Sequence, residues 1–170
     1  MAPLTPTLSE TPEDQISPAG LSMKFFKREL LGRHGVTGWR VERWQRALER
    51  YNRHFDEIRS RLPIEVVQFH QLSLHDLVVD ELEWVAPNRL RLKIGWYQVC
   101  FLDVRSSDLP ADLVGAAWLY SEVHLARPRG FELQVLLDGD EEMSVSAEGL
   151  SVYDTLKRTW IIGKELDYMV

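Results

Sequence analysis

The clearest pattern in the chain lies between Gly38 and Leu62. Val41, Trp44, Leu48, Tyr51, Phe55, Ile58 and Leu62 recur at alternating spacings of 3 and 4. That spacing draws an apolar stripe down one face of a helix, so it predicts a helix over 38–62. Pro63 ends it, because its ring clashes with the preceding turn and pushes Leu62 out of helical geometry. Beyond Pro63 the period changes to two. Strands are predicted at 64–70, 76–85, 89–95, 97–104, 117–126, 131–138 and 141–147, each bounded by turn residues. Ala86-Pro87-Asn88, Arg127-Pro128-Arg129-Gly130 and Asp138-Gly139-Asp140 are short connections of the kind that joins antiparallel neighbours. Residues 152–165 are expected to form a short closing helix anchored by Trp160-Ile161-Ile162. The fold class is therefore α+β: a long amphipathic helix packed on a meandering antiparallel sheet that can curl towards a half-barrel.

Composition bounds the rest. At 170 residues with 45% hydrophobic and 27% charged positions, the chain suits one domain with a real core. No apolar run reaches the roughly 18 residues that a membrane helix needs. Residues 1–22 hold Pro3, Pro6, Pro12 and Pro18 and few large apolar groups, so they are expected to be a disordered tail preceding a single domain over 23–170. Met23 opens that domain, and translation could start at Met1 or Met23. The start lacks the basic patch and apolar stretch of a secretory signal, and Cys100 alone cannot form an internal disulfide. Both point to a reducing cytoplasm. Cys100 lies in the apolar run Val99-Cys100-Phe101-Leu102 and is expected to pack in the core.

The net charge of −6 hides a division: residues 23–70 carry a net +5, residues 1–22 a net −3 and residues 71–170 a net −8. An acidic body argues against nucleic acid as a partner, since that binding draws on neutralised phosphates. The positive excess gathers on the predicted helix, where Arg43, Arg46, Arg50 and Arg53 face away from the apolar stripe. With Glu42, Glu49, Asp56 and Glu57 among them, these side chains suit a solvated, salt-bridged surface. Their other reading is a docking face for an acidic partner.

Several short motifs occur in a telling order. Met23-Lys-Phe-Phe-Lys-Arg-Glu-Leu30 is followed by His75-Asp76, by Ala117-Trp-Leu-Tyr-Ser-Glu-Val123, and by Gly130-Phe-Glu-Leu-Gln-Val-Leu-Leu137. In this order they resemble the bacterial family called DUF4085, over about residues 23–150. The resemblance implies a fold neighbourhood and a bacterial source and transfers no activity. It also places Gln134 where relatives are expected to carry a His, so a metal held through that position would lack a ligand here.

Candidate chemistry is sparse. There is no nucleophile elbow, and Gly32, Gly35 and Gly38 lack the lysine and the preceding strand of a phosphate loop. No catalytic residue and no cofactor is indicated. One group could hold a metal: His75, Asp76, Glu122 and His124, because imidazole and carboxylate two residues apart on a strand can share an ion. The competing reading puts Glu122 and His124 on the solvated face of an antiparallel sheet. The sequence thus favours a small bacterial protein-interaction module, of an immunity-like or regulatory kind, whose partner is another protein such as a toxin or an acidic protein. A metal-dependent enzyme built on the four residues is the alternative.

Overall fold

A computed structural model describes residues 23–30, 39–139 and 141–163. The expected N-terminal tail lies outside these residues. Helix α1 spans Trp39–Ile58 and runs into a 3₁₀ turn at Arg59–Arg61. Leu62 is extended, with ψ 152° ahead of Pro63, as the proline demands. Strand order follows from there: β1 Val79–Ala86, β2 Arg89–Ile94, β3 Tyr97–Leu102, β4 Ser106–Asp108, β5 Trp118–Leu125, β6 Phe131–Leu137, β7 Glu142–Ala147, β8 Gly149–Asp154 and β9 Thr159–Ile162.

The class is α+β, but the strands divide between two antiparallel sheets where one meander was expected. One sheet has the order β1-β2-β3-β8-β9 and the other β4-β7-β6-β5. The division arises at a corner that the sequence pattern runs through. β3 leaves the first sheet at Asp103, whose φ of 51° turns the chain, and resumes as β4 in the second. β7 passes through Glu148 into β8 in the opposite sense, so one antiparallel pair serves both sheets. Arg105 and Arg129 both pair with Glu148 at this corner. At the far end a single bridge, Val78–Ala117, joins the sheets, and they do not close into a barrel.

The core fills the space between the sheets. Leu90, Leu92, Val99, Phe101 and Val152 on one side meet Val123, Phe131, Leu133, Val135 and Val145 on the other, all buried. Phe101 and Phe131 span the gap with ring centroids 6.5 Å apart. Cys100, between Val99 and Phe101, points to the other side of its sheet and is half-buried there. That corrects its expected place in the core. Gly130 closes the β5–β6 hairpin at φ +88°, and a Cβ there would stand 2.2 Å from the Ala147 carbonyl oxygen. Only glycine fits both demands.

Three further expectations are corrected. Residues 64–69 form helix α2 (Ile64–Phe69) where a strand was expected. Its β-branched residues suit either state, but Val66 and Phe69 bury together at helical spacing. Residues 149–162 form the hairpin β8–β9 where a closing helix was expected. Asp154 is buried and its Oδ1 accepts the amides of Leu156 and Lys157, at 3.0 and 2.9 Å, which turns the chain before it can wind. The buried stripe of α1 is also rotated: Ala47 is fully buried, whereas Leu48 is 40% and Val41 38% exposed. The small Ala47 lets the helix approach the sheet, and Leu48 is turned to its flank.

Candidate functional site

The outward face of β5 and β6 is polar. Cross-strand register aligns Glu122 with Gln134 and His124 with Glu132. Such a face was expected in water. Here it is covered, by α1 and by residues 23–30 ahead of it, and Glu122 is fully buried.

A buried carboxylate is costly unless its oxygens are satisfied. Glu122 Oε1 accepts the amides of Phe25 and Phe26, both at 2.6 Å, and Oε2 accepts that of Lys24 at 2.9 Å. His124 Nε2 completes the set at 3.1 Å from Oε2. Three successive backbone N–H groups thus converge on one side chain. Burial alone would raise the Glu122 pKa; the His124 bond and the three amides outweigh it and hold the carboxyl below its ordinary value of 4.5. The segment is fixed at two more points, by Met23 N to Glu142 Oε2 (2.9 Å) and by Arg28 to the Leu137 carbonyl (2.7 Å).

The chain of bonds continues outward. His124 Nδ1 lies 3.0 Å from His54 Nε2 on α1. Because the carboxylate takes the proton-bearing Nε2 of His124, neutral His124 offers Nδ1 as an acceptor and His54 donates. Burial, His124 and then Lys24 lower the His54 pKa. Phe25 packs against both imidazoles, at 5.3 and 6.3 Å between centroids. Tyr51, two turns along α1 from Trp44, accepts the Val123 amide at 3.0 Å, and burial drives its pKa well up. Gln134 donates to Glu132 at 2.6 Å, while its own Oε1 is buried with no partner.

The four candidate metal ligands do not gather. His75 Nδ1 pairs with Asp76 at 2.9 Å in the turn before β1, where both side chains are exposed. Its ring lies 5.0 Å from Tyr120. His124 sits four residues further along β5, about 13 Å at strand rise, in its bond with Glu122. Among the described residues no group of three or more His, Cys, Asp or Glu is arranged to hold a metal.

The four candidate arginines do gather. Arg43, Arg46, Arg50 and Arg53 form one wall of a cleft of about 600 Å³, and Lys24 and Lys27 stand on the opposite wall. Glu29 and Glu49 also line it, leaving six cations against two acids. Arg46 pairs with Glu42 at 3.3 Å on the exposed surface. Arg50, Arg53 and Lys27 make no ion pair among the described residues. Lys24 and Lys27 were missed as lining residues because the sequence does not say that residues 23–30 lie beside α1. Glu122, read as an exposed acid, is what holds the segment there.

A family model for proteins of unknown function, DUF4085, matches residues 23–146. The chain belongs to DUF4085. The match begins at Met23, the residue whose amide meets Glu142, and takes in the Glu122 anchor and both walls of the cleft. Neither a curated protein nor a solved structure matches the chain. Among the described residues no helix is long and apolar enough to cross a membrane.

Proposed function

We propose that this DUF4085 protein is an interaction module that docks an acidic segment of another protein in the cleft between residues 23–30 and α1. The observation that carries the reading is the lining of six cations against two acids, in a chain whose net charge is −6. Positive charge concentrated in one concave place attracts anions there, while the acidic remainder of the chain repels them. The acidic body disfavours a long polyanion such as nucleic acid, which would run out of the cleft onto negative surface. The wall carrying Lys24 and Lys27 hangs on a buried carboxylate, so the cationic groups are positioned in advance of any ligand. An immunity-like or regulatory role in a bacterial cytoplasm fits a small binder of this kind, whose single thiol needs no oxidising compartment.

The test is fluorescence anisotropy with a labelled oligo-glutamate peptide. Saturable binding that weakens steeply with salt is expected, and Arg50→Glu with Arg53→Glu should abolish it. The control pair Arg59→Glu and Arg61→Glu, in the 3₁₀ turn beyond the cleft, should leave it intact. No binding, or equal loss in both pairs, overturns the reading.

A further inference from the structure

We infer that one end of the first sheet is a contact surface for a second copy of this chain, packed about a two-fold axis that crosses Trp96. None of its residues lines the basic cleft, so it stands or falls apart from the docking site.

The surface is built from turns that backbone bonds hold side by side. Gly95 donates to the Val78 carbonyl at 3.0 Å, and Gly115 to the Val79 carbonyl at 2.8 Å. The amide and hydroxyl of Thr155 both donate to the Trp96 carbonyl, at 2.9 and 2.8 Å. Val114, Val78, Trp96 and Leu156 therefore belong to adjoining segments at one end of the sheet. Leu156 is 74% exposed, Val114 54%, and Val78 and Trp96 40% each. Single exposed apolar residues are ordinary, but four brought together at one sheet end mark a contact surface. Leu156 is also fixed in place, since Asp154 Oδ1 accepts its amide at 3.0 Å. A partner that covers it loses little to ordering the turn.

The charges around the four residues select the occupant. The row runs from Val114 and Val78 beside β1, through Trp96 between β2 and β3, to Leu156 between β8 and β9. Its β1 end carries exposed Asp80 and Asp112, each two residues from a valine of the row. Its other end carries exposed Lys157 and Arg158. Lys157 stands 3.7 Å from Asp154, and Arg158 makes no ion pair among the described residues. Three to four strand spacings separate the two ends, roughly 15–20 Å. That exceeds the Debye length of about 8 Å at physiological salt, so the two signs do not cancel within one copy.

A two-fold axis lying across the row at Trp96 reverses it. The basic end of each copy then meets the acidic end of the other, and the apolar side chains meet between them. An apolar centre with a charged rim is the anatomy of a protein interface. An anionic bilayer would be repelled by Asp80 and Asp112. An unrelated protein would need its own rim of both signs in the same order, whereas a second copy supplies it by symmetry. Four side chains make a small contact, so the dimer is weak and depends on concentration. Each dimer carries two basic clefts.

Sedimentation equilibrium of the full chain from about 10 µM to about 1 mM reads the association, with reductant present so that Cys100 cannot link copies. A reversible dimer is expected. Trp96→Ser with Leu156→Ser should weaken it by about tenfold or more; Trp84→Ser, exposed towards the far end of β1, should leave it unchanged. Charge tests the two-fold arrangement. Lys157→Glu with Arg158→Glu makes the rim wholly acidic, and Asp80→Lys with Asp112→Lys makes it wholly basic. Neither variant should dimerise alone, and an equimolar mixture should form the mixed dimer. Monomer throughout the range, or a dimer indifferent to Trp96→Ser with Leu156→Ser, overturns the inference. A mixture of the two folded charge variants that stays monomeric overturns it as well. Binding of a monomer to phosphatidylglycerol vesicles through Trp96 overturns it in favour of a lipid surface.

Discussion

The two faces of β5 and β6 are buried by different means. The inner face presents Val123, Leu133 and Val135 to the opposite sheet and is held by apolar area removed from water. The outer face presents Glu122, His124 and Gln134 and is covered by residues 23–30 and α1. Its cover is directional: three amides and an imidazole must reach one carboxylate. An apolar face tolerates small shifts of its cover, whereas this one fixes the covering segment to a single place. That segment is a wall of the basic cleft, so the polar face sets the geometry of the site and the apolar face sets the stability of the frame.

The comparison breaks first at Glu122. Glu122→Ala leaves three amides without their acceptor and should cost about 4 kcal/mol, the scale of breaking a buried charged network. The loss should concentrate on residues 23–30 and destroy peptide binding along with them. Leu133→Ala, one face away, should cost about 3 kcal/mol of global stability in urea denaturation, with peptide binding kept wherever the protein is folded. Equal effects of both substitutions on binding would erase the distinction between the faces.

Acid should sharpen it. Glu122 has a folded pKa below its ordinary 4.5, so its contribution is present above that value and lost as pH falls through the lower folded value. His54 and His70 have folded pKa values below 6.5, so they too favour the folded state above 6.5 and oppose it as pH falls. Stability should decline from about pH 6.5 downward, and more steeply below about 4.5. Urea midpoints across that range check it; His54→Gln should flatten the upper part. A rise in stability on acidification would contradict the assignments.

The smallest effect separates the buried face of α1 from its flank. Leu48→Ala should change stability by less than about 1 kcal/mol, because Leu48 is 40% exposed. Ala47→Leu should cost about 1–3 kcal/mol by overpacking against the sheet. Differential scanning calorimetry of the two variants reads the rotation of the stripe directly.

The elements were largely legible in the sequence, and the cover was not. Trp44, Tyr51, Phe55 and Ile58 gave away α1, and alternation gave away β5 and β6. Alternation reports which side chains share a face; it cannot report what lies on that face. The segment that buries Glu122 is 98 residues away at Lys24, so Glu122 and His124 looked solvated. His54 was passed over because it falls between the apolar stripe and the arginines; its place three residues after Tyr51 was the available signal. The stripe ran through Leu48 because a large apolar residue outweighs Ala47 in any periodicity, although close packing prefers the smaller one. The β-branched Ile64, Val66 and Val67 concealed a helical turn. That the four arginines share one helical face was legible because their spacing alone puts them there.

Hydrogen exchange at the amides of Lys24, Phe25 and Phe26, followed by NMR in the unaltered protein, tests the anchor on which the cleft depends. The structure predicts protection comparable to that of core amides such as Val123 and Leu133, with all three released together by Glu122→Ala. Exchange at the rate of an unstructured peptide, or protection that survives Glu122→Ala, would contradict it.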